Sequence, residues 1–131
     1  MPTSKSLIPS ERIEKSILLI RGHKVMLDSD LAELYGVENK YLKRQIRRNI
    51  ARFPQDFMLG LTQEEQQSLR NHFGTLKRGT HAKYLSYAFT QEGIAMLSGI
   101  LRSERAIQVN VEIMRAFIRM RQLLASQKGL M

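Results

Sequence analysis

A helix-turn-helix pattern over residues 28–52 constrains this chain more than any other stretch: two short amphipathic helices flank a glycine, and the second is basic down one side. In the string DLAELYGVENKYLKRQI, small Ala32 lies four residues before Gly36, where two helices must come close. Leu31, Leu34, Val37, Leu42 and Ile46 supply their shared core. Asp28 or Ser29 is the expected N-cap of a helix through Tyr35, and Gly36 gives the permissive backbone for a sharp turn. The second helix is expected over 39–51. It ends ahead of Phe53-Pro54, because the residue before a proline is pushed out of the helical region.

On that second helix Lys40, Lys43, Arg44, Arg47 and Arg48 fall at i, i+3, i+4, i+7 and i+8, one cationic stripe. No Asp or Glu interrupts it between Lys40 and Gln55. Leu42, Ile46, Ile50 and, at the edge, Tyr41 form the side expected to pack inward. A helical hairpin with a merely solvated basic face is the competing reading. The stripe lies on the second helix, the one that enters the major groove in this motif, and that position favours contact with DNA.

The distribution of charge points the same way. Six Lys or Arg in 40–52 and four in 66–91, with no acid in either segment, exceed the whole formal charge of +9, so the remaining residues sum to −1. An excess confined to two segments suits an anionic partner surface, and nucleic acid is the leading candidate. At 131 residues the chain fits one domain able to bury roughly two-thirds of its unfolded surface. With 43% apolar and 25% charged residues it reads as globular. No apolar run approaches the ~18 residues of a membrane span, and the opening MPTSKSLIPS reads as a flexible leader, not a signal peptide. The absence of cysteine removes disulfides and thiolate zinc sites and suits a reducing compartment. A cytoplasmic, nucleoid-associated protein is expected.

Elsewhere, residues 10–21 read as a short helix or a helix followed by a strand, with Arg21-Gly22-His23 as a turn and 24–27 as a strand. Residues 56–61 read as a strand. Thr62-Gln63-Glu64-Glu65 is a capping box opening a helix to about His72. Residues 74–82 read as a loop, and 83–89 as a strand pairing with 56–61. Thr90 caps a helix to about Leu101, and Ser103 caps the last, over 104–126. The expected class is α+β, mostly α: a leader over 1–10, a single domain over 11–126 with a small antiparallel β element and a long final helix, and a frayed tail over 127–131.

Catalytic and metal chemistry find little to stand on. His23, His72 and His81 lack metal-ligand spacing. Asp28 and Asp30 sit at a helix start, where negative charge suits the helix dipole and capping explains them. Gly74 and Gly79 fit no nucleotide-binding pattern, and no Ser, His and acid grouping follows a nucleophile motif. No enzyme, cofactor or metal is expected.

The segments IRGHKVMLDSDLAELYGV, KRQIRRNIARFPQDFMLGLTQEE and YLSYAFTQEGIAMLSGILRSERAIQVNVEIMRAF resemble the phage ORF-six N-terminal domain, a relative of the KilA and Bro N-terminal domains. The resemblance runs from about Ile13 to Arg121. It rests on combinations such as Arg48-Asn49 followed by Arg52-Phe53-Pro54, and Phe89-Thr90-Gln91-Glu92-Gly93. It implies a small DNA-binding domain of phages, prophages and bacterial genomes with antirepressor or regulatory roles. Such domains are often joined to varied C-terminal regions. This sequence ends at Met131, as a minimal stand-alone member or a fragment would.

Roles follow as hypotheses. Lys40, Lys43, Arg44 and Arg47 are candidates for groove contacts, Asn39 and Lys40 lie nearest base edges, and Arg48 and Arg52 suit phosphate. Asn49 is either a contact residue or a structural amide bonding the neighbouring loop. Lys77, Arg78 and Lys83, with His81 beside them, would extend the footprint as a wing or form only an exposed loop. On the final helix Ile107, Val111, Met114, Ile118 and Arg121 make one stripe, and Ile113, Phe117, Met120 and Leu124 a second. That surface is wider than one face needs. Part is expected on the core, and Val111, Met114, Phe117, Ile118 and Leu124 against a second copy. The expected partner is double-stranded DNA. The alternative is an antirepressor module that binds an acidic phage or host repressor protein through the same basic stripe. RNA is a weaker reading, since Tyr84, Tyr87 and Phe89 look needed for sheet packing.

Overall fold

The computed structural model describes residues 10–73 and 86–129. The elements in chain order are α1 (Ser10–Ser16), β1 (Leu18–Ile20), β2 (His23–Leu27), α2 (Asp28–Tyr35), α3 (Asn39–Arg48), a 3₁₀ turn (Ile50–Arg52), β3 (Met58–Gly60), α4 (Gln63–Phe73), β4 (Tyr87–Phe89), α5 (Gln91–Leu101) and α6 (Glu104–Gly129). The class is α+β and mostly α, with a small antiparallel sheet and a long C-terminal helix, as the sequence predicts.

The sheet order is β1-β2-β4-β3. Leu18 pairs with Val25, Met26 with Phe89, and Leu59 with Ala88, every neighbour antiparallel. Alternation along the strands divides the apolar residues between two faces. Met26 and Phe89 join the main core with α1, α2, α3, α5 and α6. Val25, Leu27 and Ala88 join a second cluster with Leu59, Leu61 and Leu69 of α4. The central strands β2 and β4 are therefore buried on both faces, which accounts for their apolar runs, whereas Leu19 of the edge strand β1 is 72% exposed.

Local caps set the helix starts. The Thr62 N–H donates to Glu65 Oε1 at 2.9 Å and the Glu65 N–H to Thr62 Oγ1 at 3.1 Å, the reciprocal box expected at α4. Glu65 also takes two hydrogen bonds from Arg21, at 2.8 Å each, which with the Thr62 amide hold its carboxyl down at about 2. Thr90 Oγ1 accepts the Gly93 N–H at the start of α5, and Ser103 Oγ accepts the Ala106 N–H at the start of α6. A buried polar tie joins three helices: the Tyr35 hydroxyl donates to Asn110 Oδ1, and Asn110 Nδ2 donates to the Ile94 carbonyl at 2.7 Å. Burial pushes the Tyr35 phenol far above its usual range, so it remains a donor.

Several boundaries differ from the sequence reading. The helix-then-strand alternative holds for residues 10–20. Helix α3 stops at Arg48 because Asn49 leaves the helical region (φ −125°, ψ 34°) and its Nδ2 donates to the Gln45 carbonyl at 2.8 Å. A short polar side chain competing for a helix carbonyl ends the run before the proline does. Ile50 consequently falls outside the α3 register and is 54% exposed, and Tyr41 is 38% exposed; neither packs inward as expected. Strand β3 is shorter than 56–61, because the Phe57 N–H closes a turn onto the Pro54 carbonyl at 2.8 Å. Helix α6 continues past residue 126 to Gly129. Ser10, expected at the end of the leader, opens α1, and residues 1–9, the loop over 74–82 and the first part of the 83–89 strand lie outside the described residues.

Candidate nucleic-acid interface

Helices α2 and α3 are joined by Gly36, Val37 and Glu38. Gly36 takes the left-handed conformation (φ 75°), its N–H bonding to Glu33 O at 3.2 Å and the Val37 N–H to Ala32 O at 3.0 Å, which folds the chain back at the end of α2. Leu31, Ala32, Leu34, Leu42 and Ile46 are buried together, and Val37 is half-buried against them. Arg105 of α6 reaches this turn. Its Nε donates to the Leu34 carbonyl at 2.9 Å, and a Cβ on Gly36 would sit 3.1 Å from the same nitrogen. The turn is thus held from outside by a cation on the open carbonyls of α2, a contact with no local sequence signature.

With Leu42 and Ile46 fixed inward, a rotation of about 100° per residue sets the rest of the helix. The solvent-facing arc runs through Arg47, Lys40, Arg44, Arg48 and Tyr41, all exposed. Arg52 follows on the 3₁₀ turn, also exposed. Among the described residues none of Lys40, Arg44, Arg47, Arg48 and Arg52 has an acidic partner. Four cations elsewhere are matched, Arg12 with Glu33, Arg21 with Glu65, Arg115 with Glu112 and Arg119 with Glu14, whereas Arg102 and Arg105 bond only backbone carbonyls.

Lys43, one of the expected stripe residues, is turned to internal work. Its side chain is half-buried, with Nζ 3.5 Å from Asp28 Oδ2 and 5.8 Å from the centre of the Tyr87 ring. Asp28 is fully buried and does more than cap. Oδ1 accepts the Ser29 N–H at 2.7 Å, and Oδ2 accepts the Tyr87 N–H at 3.3 Å. The N-cap position of α2 falls on Leu27, not Asp28 or Ser29. Burial pushes the Asp28 carboxyl above the usual range, against the opposing pull of Lys43 and the two amides. The trio pins α3 to the start of α2 and to β4, so Lys43 orients the helix and adds nothing to its outer charge.

Other expected contact residues are placed unevenly. Asn39 is the first residue of α3 and half-buried, its Oδ1 buried without a hydrogen-bond partner among the described residues. Asn49 serves α3 itself through Gln45, the structural-amide alternative. Lys77, Arg78, His81 and Lys83 lie outside the described residues. On α6, Phe117 is 3% exposed and packs in the core with Ile113 and Ala116, so it cannot face a second copy. Met114 is half-buried against the same core, while Val111, Ile118 and Leu124 are exposed, together with Ile107 and Leu123. No helix among the described residues is long and apolar enough to cross a membrane.

The ORF6N domain family matches residues 15–100, from the end of α1 to the last turn of α5. The chain belongs to the ORF6N domain family. The match takes in the whole α2–α3 unit, the sheet and α4, and ends short of α6 and of the reach to Arg121 inferred from sequence. No curated protein and no solved structure matches this ORF6N chain.

Proposed function

We propose that this ORF6N domain binds double-stranded DNA through the exposed face of α3, in a phage-type regulatory role that works by binding and not by catalysis. The observation that carries the reading is the face itself: Lys40, Arg44, Arg47 and Arg48 on α3 and Arg52 on the 3₁₀ turn after it are exposed and without an acidic partner among the described residues, and α3 is fixed by its buried side and the Asp28–Lys43 pair, with Arg105 holding the turn before it. Cations there displace counterions from phosphate, and a rigidly seated helix offers Arg44, Arg47 and Lys40 to base edges. A second copy completes the arrangement by meeting on the outer stripe of α6, Val111 and Ile118 with Met114 at the rim and Leu124 beyond it, which sets two α3 helices on one duplex.

The test is a duplex titration across salt concentrations. Five neutralised phosphates give a log–log slope of about −4.5 per protomer, since each contributes about 0.9. A slope shallower than about −2 removes the α3 face as the interface. An acidic protein partner, the alternative occupant of the same cations, predicts instead that duplex DNA competes no better than an unrelated polyanion.

A further inference from the structure

Arg102 terminates α5 in the left-handed conformation (φ 52°, ψ 30°), where glycine is the ordinary occupant and an L side chain is disfavoured. Among the described residues the only other non-glycine with positive φ is Arg21, and there the reason is visible. Arg21 turns the β1–β2 hairpin, and its guanidinium makes two hydrogen bonds to Glu65 and one to the Gly60 carbonyl at 2.9 Å. Arg102 has no such return. Its side chain is exposed, has no acidic partner among the described residues, and makes one long bond from Nε to the Gly99 carbonyl at 3.4 Å. Gly99 is also where Arg52 lies, with Nη1 3.8 Å from the position a Cβ on that glycine would take. Both side chains thus border Gly99, Arg102 at its carbonyl and Arg52 on its Cα side, and neither has an acidic partner among the described residues.

We propose that Arg102 is a further phosphate-contacting residue, which with Arg52 extends the α3 surface onto the corner between α5 and α6. The proposal rests on the DNA-binding reading above. On this reading the left-handed position is occupied by Arg102 for the guanidinium it presents, and the absence of a side chain at Gly99 leaves room for Arg52 beside it.

Replacing Arg102 by Gly separates this role from a structural one, because glycine relieves the backbone while removing the charge. R102G melts no lower than the parent chain, binds duplex DNA on the order of fivefold more weakly at roughly 0.15 M salt, and has a salt slope shallower by about 0.9, the release from one phosphate. R102K, which keeps the charge and the strain, retains the parent slope. If R102G keeps the parent affinity and slope while alanines at Arg44 and Arg47 weaken binding, the α3 reading stands and Arg102 is no contact. A lower melting temperature for R102G makes Arg102 a structural cap and overturns the proposal. A parent chain without salt-dependent duplex binding overturns both readings together.

Discussion

Alanine at both Arg44 and Arg47 weakens duplex binding by at least about thirtyfold at roughly 0.15 M salt, because two phosphate contacts each contribute on the order of fivefold through counterion release. If either side chain reads a base edge the loss is larger, about 1–3 kcal/mol per bidentate contact, and discrimination among sequences relaxes with it. Both residues are exposed and neither holds an acid among the described residues, so thermal unfolding stays within about 3 °C of the parent. The two readings must be taken together: lost affinity with intact melting locates the interface, and unchanged affinity removes it. Lys43 is the wrong substitution for this purpose despite sharing the stripe by spacing. Removing it strands the buried Asp28 carboxylate and disturbs the seating of α3 on α2 and β4.

The largest effect on folding is expected at Gly93. In the first turn of a helix a change from Gly to Ala ordinarily gains up to about 1 kcal/mol. Here the added methyl would overlap the Phe57 carbonyl, with the carbonyl carbon 3.0 Å away and the Phe89 ring at 3.4 Å. That carbonyl cannot withdraw freely, because it accepts the Thr90 N–H at 3.1 Å and the Thr90 hydroxyl at 3.3 Å. Separating it from α5 therefore breaks the contact that joins the start of the helix to the chain before β3. Gly93→Ala is expected to cost about 3 kcal/mol and to lower the melting temperature by on the order of 10 °C, read by circular dichroism. Melting at or above the parent value would show that propensity outweighs the clash.

What the sequence made legible was local. Thr62 with Glu65, Thr90 and Ser103 each announce a helix within four residues, and each makes the hydrogen bond its spacing implies. Gly36 is legible for the same reason, since the end of α2 needs a left-handed residue there. The misjudged residues are those whose fate depends on distant neighbours or on a small local competition. Asp28 read as a cap because its partners, Lys43 and the Tyr87 amide, lie 15 and 59 positions away. Ile50 read as core because the period of α3 was carried past Asn49, whose amide ends the helix. Phe117 belonged to an apolar surface wider than one face, and periodicity alone could not say which stripe would meet Ile113 and Ala116 in the core. Arg105 at the α2–α3 turn has no sequence signal, because nothing near it in sequence reveals that α6 begins against that turn.

The measurement that tests the central claim most directly is selection from a random pool of double-stranded DNA at roughly physiological salt, followed by sequencing of the retained fraction. A regulatory domain with α3 in the major groove enriches a short motif, and pairing through α6 makes it an inverted repeat with half-sites about 34 Å, one helical turn, or a multiple of that apart. Retention of duplex without any enriched motif, or no retention at all, would contradict groove reading by α3.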